Sequence, residues 1–210
     1  MSLLERLREN KGTVSSAPGK ELAKLVIRGD SGIFYEVLSL IHSDDKNVGS
    51  GAAKIIEKVA EENLSLVSPH LPDLLECMDY CESQTRWMVL HIAGLCANLQ
   101  PKLSGTFFNS AVMFLEKEHG TVLNDRAITY FGYMGAVSNE DCNRCFPYLI
   151  RAFELHPKRT TRVFESLLRM KDLMDDLQKQ TLLKYAAQYS NSERSGIKKW
   201  TKTVYKEFIK

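Results

Sequence analysis

Two pairs of cysteines are the residues whose type and spacing best suit chemistry. Cys142 and Cys145 form a C-x-x-C motif, and Cys77 and Cys81 form a C-x-x-x-C motif. Thiols at such spacings bind zinc or exchange disulfides, but structural zinc needs four close ligands, and a redox C-x-x-C needs a βαβ setting. No strand pattern surrounds either motif. We therefore predict small buried thiols, with no metal ligand and no cofactor.

Other catalytic patterns are weak in this sequence. The histidines never pair at a spacing of three or four, so we predict helix-end or surface positions for His42, His70, His91, His119 and His156. Gly49–Gly51 could hold an anion at the start of a helix, but neither a preceding strand nor a Walker lysine accompanies it. No G-x-S-x-G motif occurs. We expect no catalytic residues, and an enzyme is the less favoured interpretation.

The elements that carry these residues are predicted to be helices. From Lys20 onward, apolar residues recur at intervals of three and four, which indicates amphipathic helices, whereas strict alternation is absent. Gly29–Gly32 separates the first two helices and offers an aspartate or serine as a cap. The stretch before Ala17 lacks such a period, so we expect a flexible N-terminal arm over residues 1–19.

The helices repeat in pairs every 36–38 residues. Three apolar positions of the first helix recur in order as Ile56, Val59 and Ala60, then Ile92, Leu95 and Cys96, then Tyr130, Tyr133 and Met134. Those of the second helix recur as Leu71, Leu74 and Leu75, then Phe108, Ala111 and Val112, then Phe146, Leu149 and Ile150. A repeat of two amphipathic helices is typical of an α-solenoid, in which stacked neighbours bury each other's apolar faces.

The segments 47–61 and 85–98 resemble first helices of HEAT repeats, and 71–78 and 107–115 resemble second helices. Arginine near the start of the first helix also fits that family, at Arg86, Arg126 and Arg162. The chain resembles small stand-alone bacterial HEAT-repeat proteins of unassigned activity. The resemblance implies an all-α, armadillo-like superhelix of about five helix pairs, forming a single domain over residues 20–210.

The last helix is predicted to cap the solenoid. Ser190 and Glu193 have the spacing of a capping box, which would start a helix there. An apolar stripe follows, with lysines off the stripe. Such a helix would cover the last core layer and leave a polar outer face.

Composition limits the function classes. The chain has 210 residues, of which 44% are hydrophobic and 26% charged, with five cysteines and a net charge of +2. These values, and the lack of a long apolar run, argue against membrane, disordered and disulfide-framework proteins, so we expect a cytoplasmic protein.

The preferred function is a non-enzymatic scaffold that binds a protein partner along the concave surface of the solenoid. The HEAT resemblance implies that the second helices line this surface. Their polar residues are the candidates for partner binding: Asp73, Glu76, Asp79, Asn109, Glu116, Asn143, Arg144 and Arg151. We infer no small-molecule substrate and no membrane association.

Two alternatives stay open. Residues 156–210 hold 13 basic and 6 acidic residues, a net charge of +7, so the C-terminal end could bind nucleic acid. The candidates for phosphate binding are Lys158, Arg159, Arg162, Lys198, Lys199, Lys202 and Lys206. The other alternative is a HEAT-like DNA glycosylase, whose nucleotide-supporting residues would come from Arg86, Trp87, Tyr130, Tyr133 and Trp200.

Overall fold

The protein is represented by a computed structural model, which describes residues 2–9, 17–117 and 120–209. The chain divides into two compact units, Met1–Ser110 and Ala111–Lys210, and the division falls within one helix. His119 and residues 10–16, which belong to the predicted arm, lie outside the described residues.

The first unit consists of helices joined by short turns. They are α1 (Leu3–Glu9), α2 (Ala17–Ile27), α3 (Ser31–Leu40), α4 (Lys46–Glu62), α5 (Leu64–Val67), α6 (Leu71–Leu75), α7 (Cys77–Tyr80), α8 (Ser83–Leu95), α9 (Pro101–Gly105) and the start of α10 (Phe108–Glu116). The helices α2, α4 and α8 lie side by side as first helices of successive pairs. The second helix after α4 is broken into α5, a 3₁₀ turn, α6 and α7, and Pro69 and Pro72 occupy the first turns of the middle pieces.

The second unit repeats the arrangement. Its helices are the end of α10, α11 (Thr121–Met134), α12 (Asn139–Leu155), α13 (Thr160–Arg169), α14 (Asp176–Tyr189) and α15 (Ser195–Phe208). The first helices α11 and α13 pack together, and α15 contacts both α13 and α14. By stacking on the first helix α13 and on α14, α15 covers the last core layer of this unit, as predicted for the capping helix.

Burial follows the predicted repeat. In the second helices, Leu71 and Leu74 are buried and Leu75 is half-buried, and the two later triplets repeat this order. In the first helices the middle position varies, since Val59 is buried whereas Leu95 and Tyr133 are half-buried. The apolar positions inferred from the sequence therefore form the core of each unit.

The sequence predicted the cap of α3 correctly but not the start of the last helix, α15. Asp30 caps α3 by accepting a hydrogen bond from the Ile33 amide at 3.1 Å, as predicted. The predicted capping box at Ser190 and Glu193 is wrong: Ser190 instead follows the last turn of α14, and α15 starts after Arg194 without a side-chain cap. The observed capping box is Asp175 with Gln178, at the start of α14.

Part of the expected flexible arm is a helix. Ser2 and Glu5 form a capping box at its start, with Ser2 N donating to Glu5 Oε2 at 2.7 Å and Glu5 N donating to Ser2 Oγ at 3.2 Å. Leu7 is buried where α1 packs on α4, against Gly51. A seven-residue helix is too short to be stable alone, so this tertiary contact stabilises a segment whose own pattern is weak.

Gly49–Gly51 lies within α4 and does not open it, because the helix already begins at Lys46 after its cap, Asp45. Among the described residues, no helix is both long and apolar enough to cross a membrane.

Candidate functional site

The acidic residues predicted to bind a partner lie together on the second helices of the first unit. Asp73, Glu76 and Asp79 are exposed at three-residue intervals along α6 and α7, while Leu71, Leu74 and Cys77 are buried behind them. Asp73 is 3.3 Å from His70 Nδ1. Within the described part of the chain, Glu76 and Asp79 form no ion pair. All three carboxylates are exposed to solvent.

Exposed aromatic side chains accompany these acids, and sequence reasoning missed them. Tyr35 on α3 is 61% exposed and packs its edge against His70, with ring centroids 5.9 Å apart. Tyr80, at the end of α7, is 59% exposed, and its hydroxyl lies 2.5 Å from His42 Nδ1. Large exposed aromatics are the usual anchors of protein interfaces. Both tyrosines fall at helix positions that face away from the buried apolar stripe, and this was the signal available in the sequence.

The candidates in the second unit are partly engaged with each other. Arg151 Nη1 donates to Glu116 Oε1 at 2.7 Å, and Asn143 Oδ1 accepts a hydrogen bond from Gln178 Nε2 at 2.9 Å. Arg144 is exposed on α12. In the first unit, Asn109 is exposed on α10. The Arg151–Glu116 and Asn143–Gln178 pairs each connect one second helix to the next, so these side chains hold neighbouring repeats together.

The predicted basic residues fall into two groups. Lys198, Lys199, Lys202 and Lys206 are exposed on α15 and line a shallow groove of about 500 Å³. Within the described residues none of these four ammonium groups has an ion-pair partner. By contrast, Arg159 pairs with Asp125 at 3.3 Å and Arg162 with Glu165 at 2.8 Å, while Lys158 lines a different cavity, of about 220 Å³.

The arginines around Asp125 do not lower its pKa below the ordinary value. Burial raises the pKa of this carboxyl, and Arg159, Arg162, Arg126 and His156 offset that effect only in part. The Asp125–Arg159 pair joins α11 to the 3₁₀ turn Pro157–Arg159 that follows α12.

The cysteines are poor nucleophiles. Cys77, Cys96, Cys142 and Cys145 are buried and Cys81 is half-buried, and all five are free thiols. Burial raises the pKa of Cys142 to about 11 and those of Cys96 and Cys145 to about 12. Burial and the neighbouring Cys81 raise the pKa of Cys77 further. Since the thiolate is the reactive form, these side chains act as core residues.

A cleft of about 360 Å³ opens beside Cys81 in the first unit. His42, Tyr80 and Arg86 line it, and Cys77 Sγ lies 3.7 Å from His42 Nδ1. Burial raises the pKa of Cys81, although its hydrogen bond with Cys77 and the charge of Arg86 act in the opposite direction. His42 Nδ1 contacts the Cys77 thiol, which its raised pKa keeps protonated, and the Tyr80 hydroxyl.

Two of the aromatic residues proposed for a glycosylase, Tyr130 and Tyr133, are engaged within the second unit. Tyr130 is fully buried, and its pKa is raised by that burial, so its ring cannot support an extruded nucleotide. The Arg169 guanidinium stacks on Tyr133, 4.0 Å from the ring centroid. Trp87 lies in the first unit with Lys54 Nζ 5.9 Å from its ring centroid.

Sequence reasoning also missed a buried polar cluster between α4 and α8. Glu57 is fully buried, and its Oε1 lies 2.7 Å from Nδ1 of His91, which is 9% exposed. The prediction that His91 lies at a helix end or on the surface is therefore wrong. The available signal was positional: Glu57 falls on the apolar stripe of Ala53, Ile56 and Ala60, and His91 sits in an apolar run.

Comparisons with known proteins identify the fold. No family model and no curated protein matches the chain. The structure is similar to a designed armadillo repeat protein in complex with the peptide (KR)4, at 13% identity over 99% of this chain and 100% of that one, with a TM-score of 0.69. It is also similar to computationally designed armadillo repeat proteins for modular peptide recognition, at 13% identity, 98% of each chain and a TM-score of 0.67. The predicted all-α, armadillo-like solenoid is confirmed.

Proposed function

We propose that the protein is a non-enzymatic scaffold that binds a basic segment of a partner protein through the second helices of its first unit. The observation that carries this proposal is the group of exposed carboxylates at Asp73, Glu76 and Asp79, accompanied by two exposed rings: Tyr80, which follows Asp79 in the chain, and Tyr35, which packs on His70. Together these residues form the acidic face.

The chemistry of the acidic face suits lysine and arginine side chains. A guanidinium or ammonium group can pair with a carboxylate, and it can also lie over a tyrosine ring, which attracts cations through its negative face. Residues at three-residue intervals along α6 and α7 present several such sites in a row. A similar fold with the peptide (KR)4 bound shows that armadillo-type scaffolds can hold alternating basic residues.

The test is binding of a dye-labelled octapeptide of alternating lysine and arginine, measured by fluorescence anisotropy at about 100 mM salt. The variant with Asp73→Lys, Glu76→Lys and Asp79→Lys should bind at least about tenfold more weakly. Each exposed ion pair contributes up to about 1 kcal/mol, so three reversals suffice for this loss. The circular dichroism spectrum should be unchanged, because all three side chains are exposed.

A matched control separates the acidic face from the effect of net charge. Glu62, Asp172 and Glu193 are also exposed acids, and their replacement by lysine changes the net charge by the same amount. This variant should keep the affinity of the wild type. Equal losses in both variants, or no binding by the wild type, would contradict the proposed site.

Nucleic-acid binding through α15 is a second candidate. It is favoured by the four exposed lysines that line one groove without carboxylate partners among the described residues. Four phosphate contacts predict that affinity for a labelled duplex or single strand falls about 100-fold between about 50 and about 200 mM salt.

The lysine variant Lys198→Glu, Lys202→Glu and Lys206→Glu should abolish this binding, whereas Lys24→Glu, Lys102→Glu and Lys117→Glu should reduce it much less. No binding of either nucleic acid at the lower salt would exclude the α15 site and leave the protein scaffold as the function.

A further inference from the structure

Three side chains with metal-binding atoms meet on the first helices of the first unit. Glu57 and Glu61 are one helical turn apart on α4, and His91 lies opposite them on α8. One ligand atom from each lies within 4.8 Å of the other two. None of the sequence motifs contains this set, because the histidine is 34 residues from Glu57.

The cluster has the form of a partly open metal site. Glu57 is buried and His91 nearly so, whereas Glu61 is exposed and gives a path from solvent. Two carboxylates and one imidazole are a donor set used for zinc and similar divalent ions, which keep a fourth position for water. The distances between ligand atoms require only small side-chain adjustments to reach bonds of about 2.0–2.2 Å.

Lys54 supports this arrangement. Its ammonium group donates to Glu57 Oε2 at 2.6 Å and so holds the carboxylate with Oε1 toward His91. Hydrogen bonds of this kind orient metal ligands and affect affinity strongly.

Lys58 has the opposite effect. It pairs with Glu61 Oε2, so its positive charge competes with a cation that binds Glu61. The exposed ligand of the cluster is thus held by a competing positive charge.

We propose that Glu57, Glu61 and His91 bind a divalent first-row transition-metal ion, for which Zn²⁺ is the probe. His91 coordinates through Nδ1, which requires the imidazole proton to reside on Nε2. The metal ion then takes the place of the hydrogen bond between Nδ1 and Glu57. Bound metal joins α4 to α8, and thereby links two neighbouring repeats. This departs from the sequence prediction of no metal ligands.

The experiment is calorimetric titration of the full chain with zinc chloride, repeated with Co²⁺ to record the visible spectrum of a low-symmetry site. The wild type should bind one ion at this site with a micromolar dissociation constant. Glu61→Gln should weaken binding at least about tenfold and remove the cobalt spectrum. Since Glu61 is exposed, this substitution tests the site without disturbing the core.

Two further variants make the assignment specific. Glu62→Gln removes an adjacent exposed carboxylate outside the cluster and should leave the affinity within about twofold of the wild type. Lys58→Gln should tighten binding severalfold, because it removes the charge that competes for Glu61. Equal behaviour of Glu61→Gln and Glu62→Gln, or no zinc binding by the wild type at millimolar zinc, would overturn the proposal.

Discussion

Gly132 illustrates how single residues set the spacing between first helices in the second unit. A Cβ atom at this position would lie 2.6 Å from Ser166 Cβ and 2.8 Å from Ser166 Cα. Contacts this short with backbone cannot be relieved by rotating a side chain. The absence of a side chain at Gly132 therefore permits the close packing of α11 against α13.

We therefore expect Gly132→Ala to destabilise the protein. Overpacking should cost about 1–3 kcal/mol in the free energy of unfolding, despite the better helix propensity of alanine. Urea denaturation followed by circular dichroism measures this difference.

Gly105→Ala is the matched control, because Gly105 is also helical and has no atoms within 4 Å of the added Cβ. It should be neutral or stabilise the protein by up to about 1 kcal/mol. If Gly132→Ala proved as stable as Gly105→Ala, the close approach of α11 and α13 would be refuted.

At the scale of elements, helix starts depend on caps that short motifs identify only in part. Asp175 Oδ1 accepts from the Gln178 amide at 2.7 Å, and Gln178 Oε1 accepts from the Asp175 amide at 3.0 Å. The pattern at Ser190 and Glu193 has the same spacing, yet the chain there has only just left α14.

Substitution of Asp175 and of Glu193 should therefore have different effects on stability. Asp175→Ala should lower the free energy of unfolding by about 0.5–2 kcal/mol, because the first turn of α14 loses a partner for its free amide. Glu193→Ala should change it by less than about 0.5 kcal/mol, since Glu193 is exposed and caps no helix.

Thermal or urea unfolding of both variants distinguishes the two positions. A larger loss for Glu193→Ala than for Asp175→Ala would restore the capping box inferred from the sequence.

At the scale of the whole molecule, the sequence predicted the fold well because repetition multiplies a weak signal. Leu71, Phe108 and Phe146 each carry little information alone, but their recurrence in register with a second apolar series identifies stacked helix pairs. The arrangement of these pairs matches designed armadillo repeat proteins over nearly the full chain.

What the sequence could not predict depends on contacts between repeats. The burial of Glu57 follows from a partner 34 positions away, and the helix at Leu3–Glu9 follows from packing on α4. For the acidic face, the positions of Asp73, Glu76 and Asp79 could be proposed from periodicity. The rings beside them belong in part to another helix pair and needed three-dimensional information.

The contacts that join successive repeats have a kinetic consequence. Hydrogen bonds such as Glu57–His91, Asn143–Gln178 and His156–Leu115 connect residues 34 to 41 positions apart in a chain of 210. Loop-closure entropy rises only slowly with loop length, and each interface closes a loop of similar, modest size. Because these contacts reach only to the next repeat, such a chain can nucleate at one helix pair and add the next without a growing barrier. Adding another helix pair to this array would lengthen the protein, yet the slowest folding step would still involve only neighbouring helices.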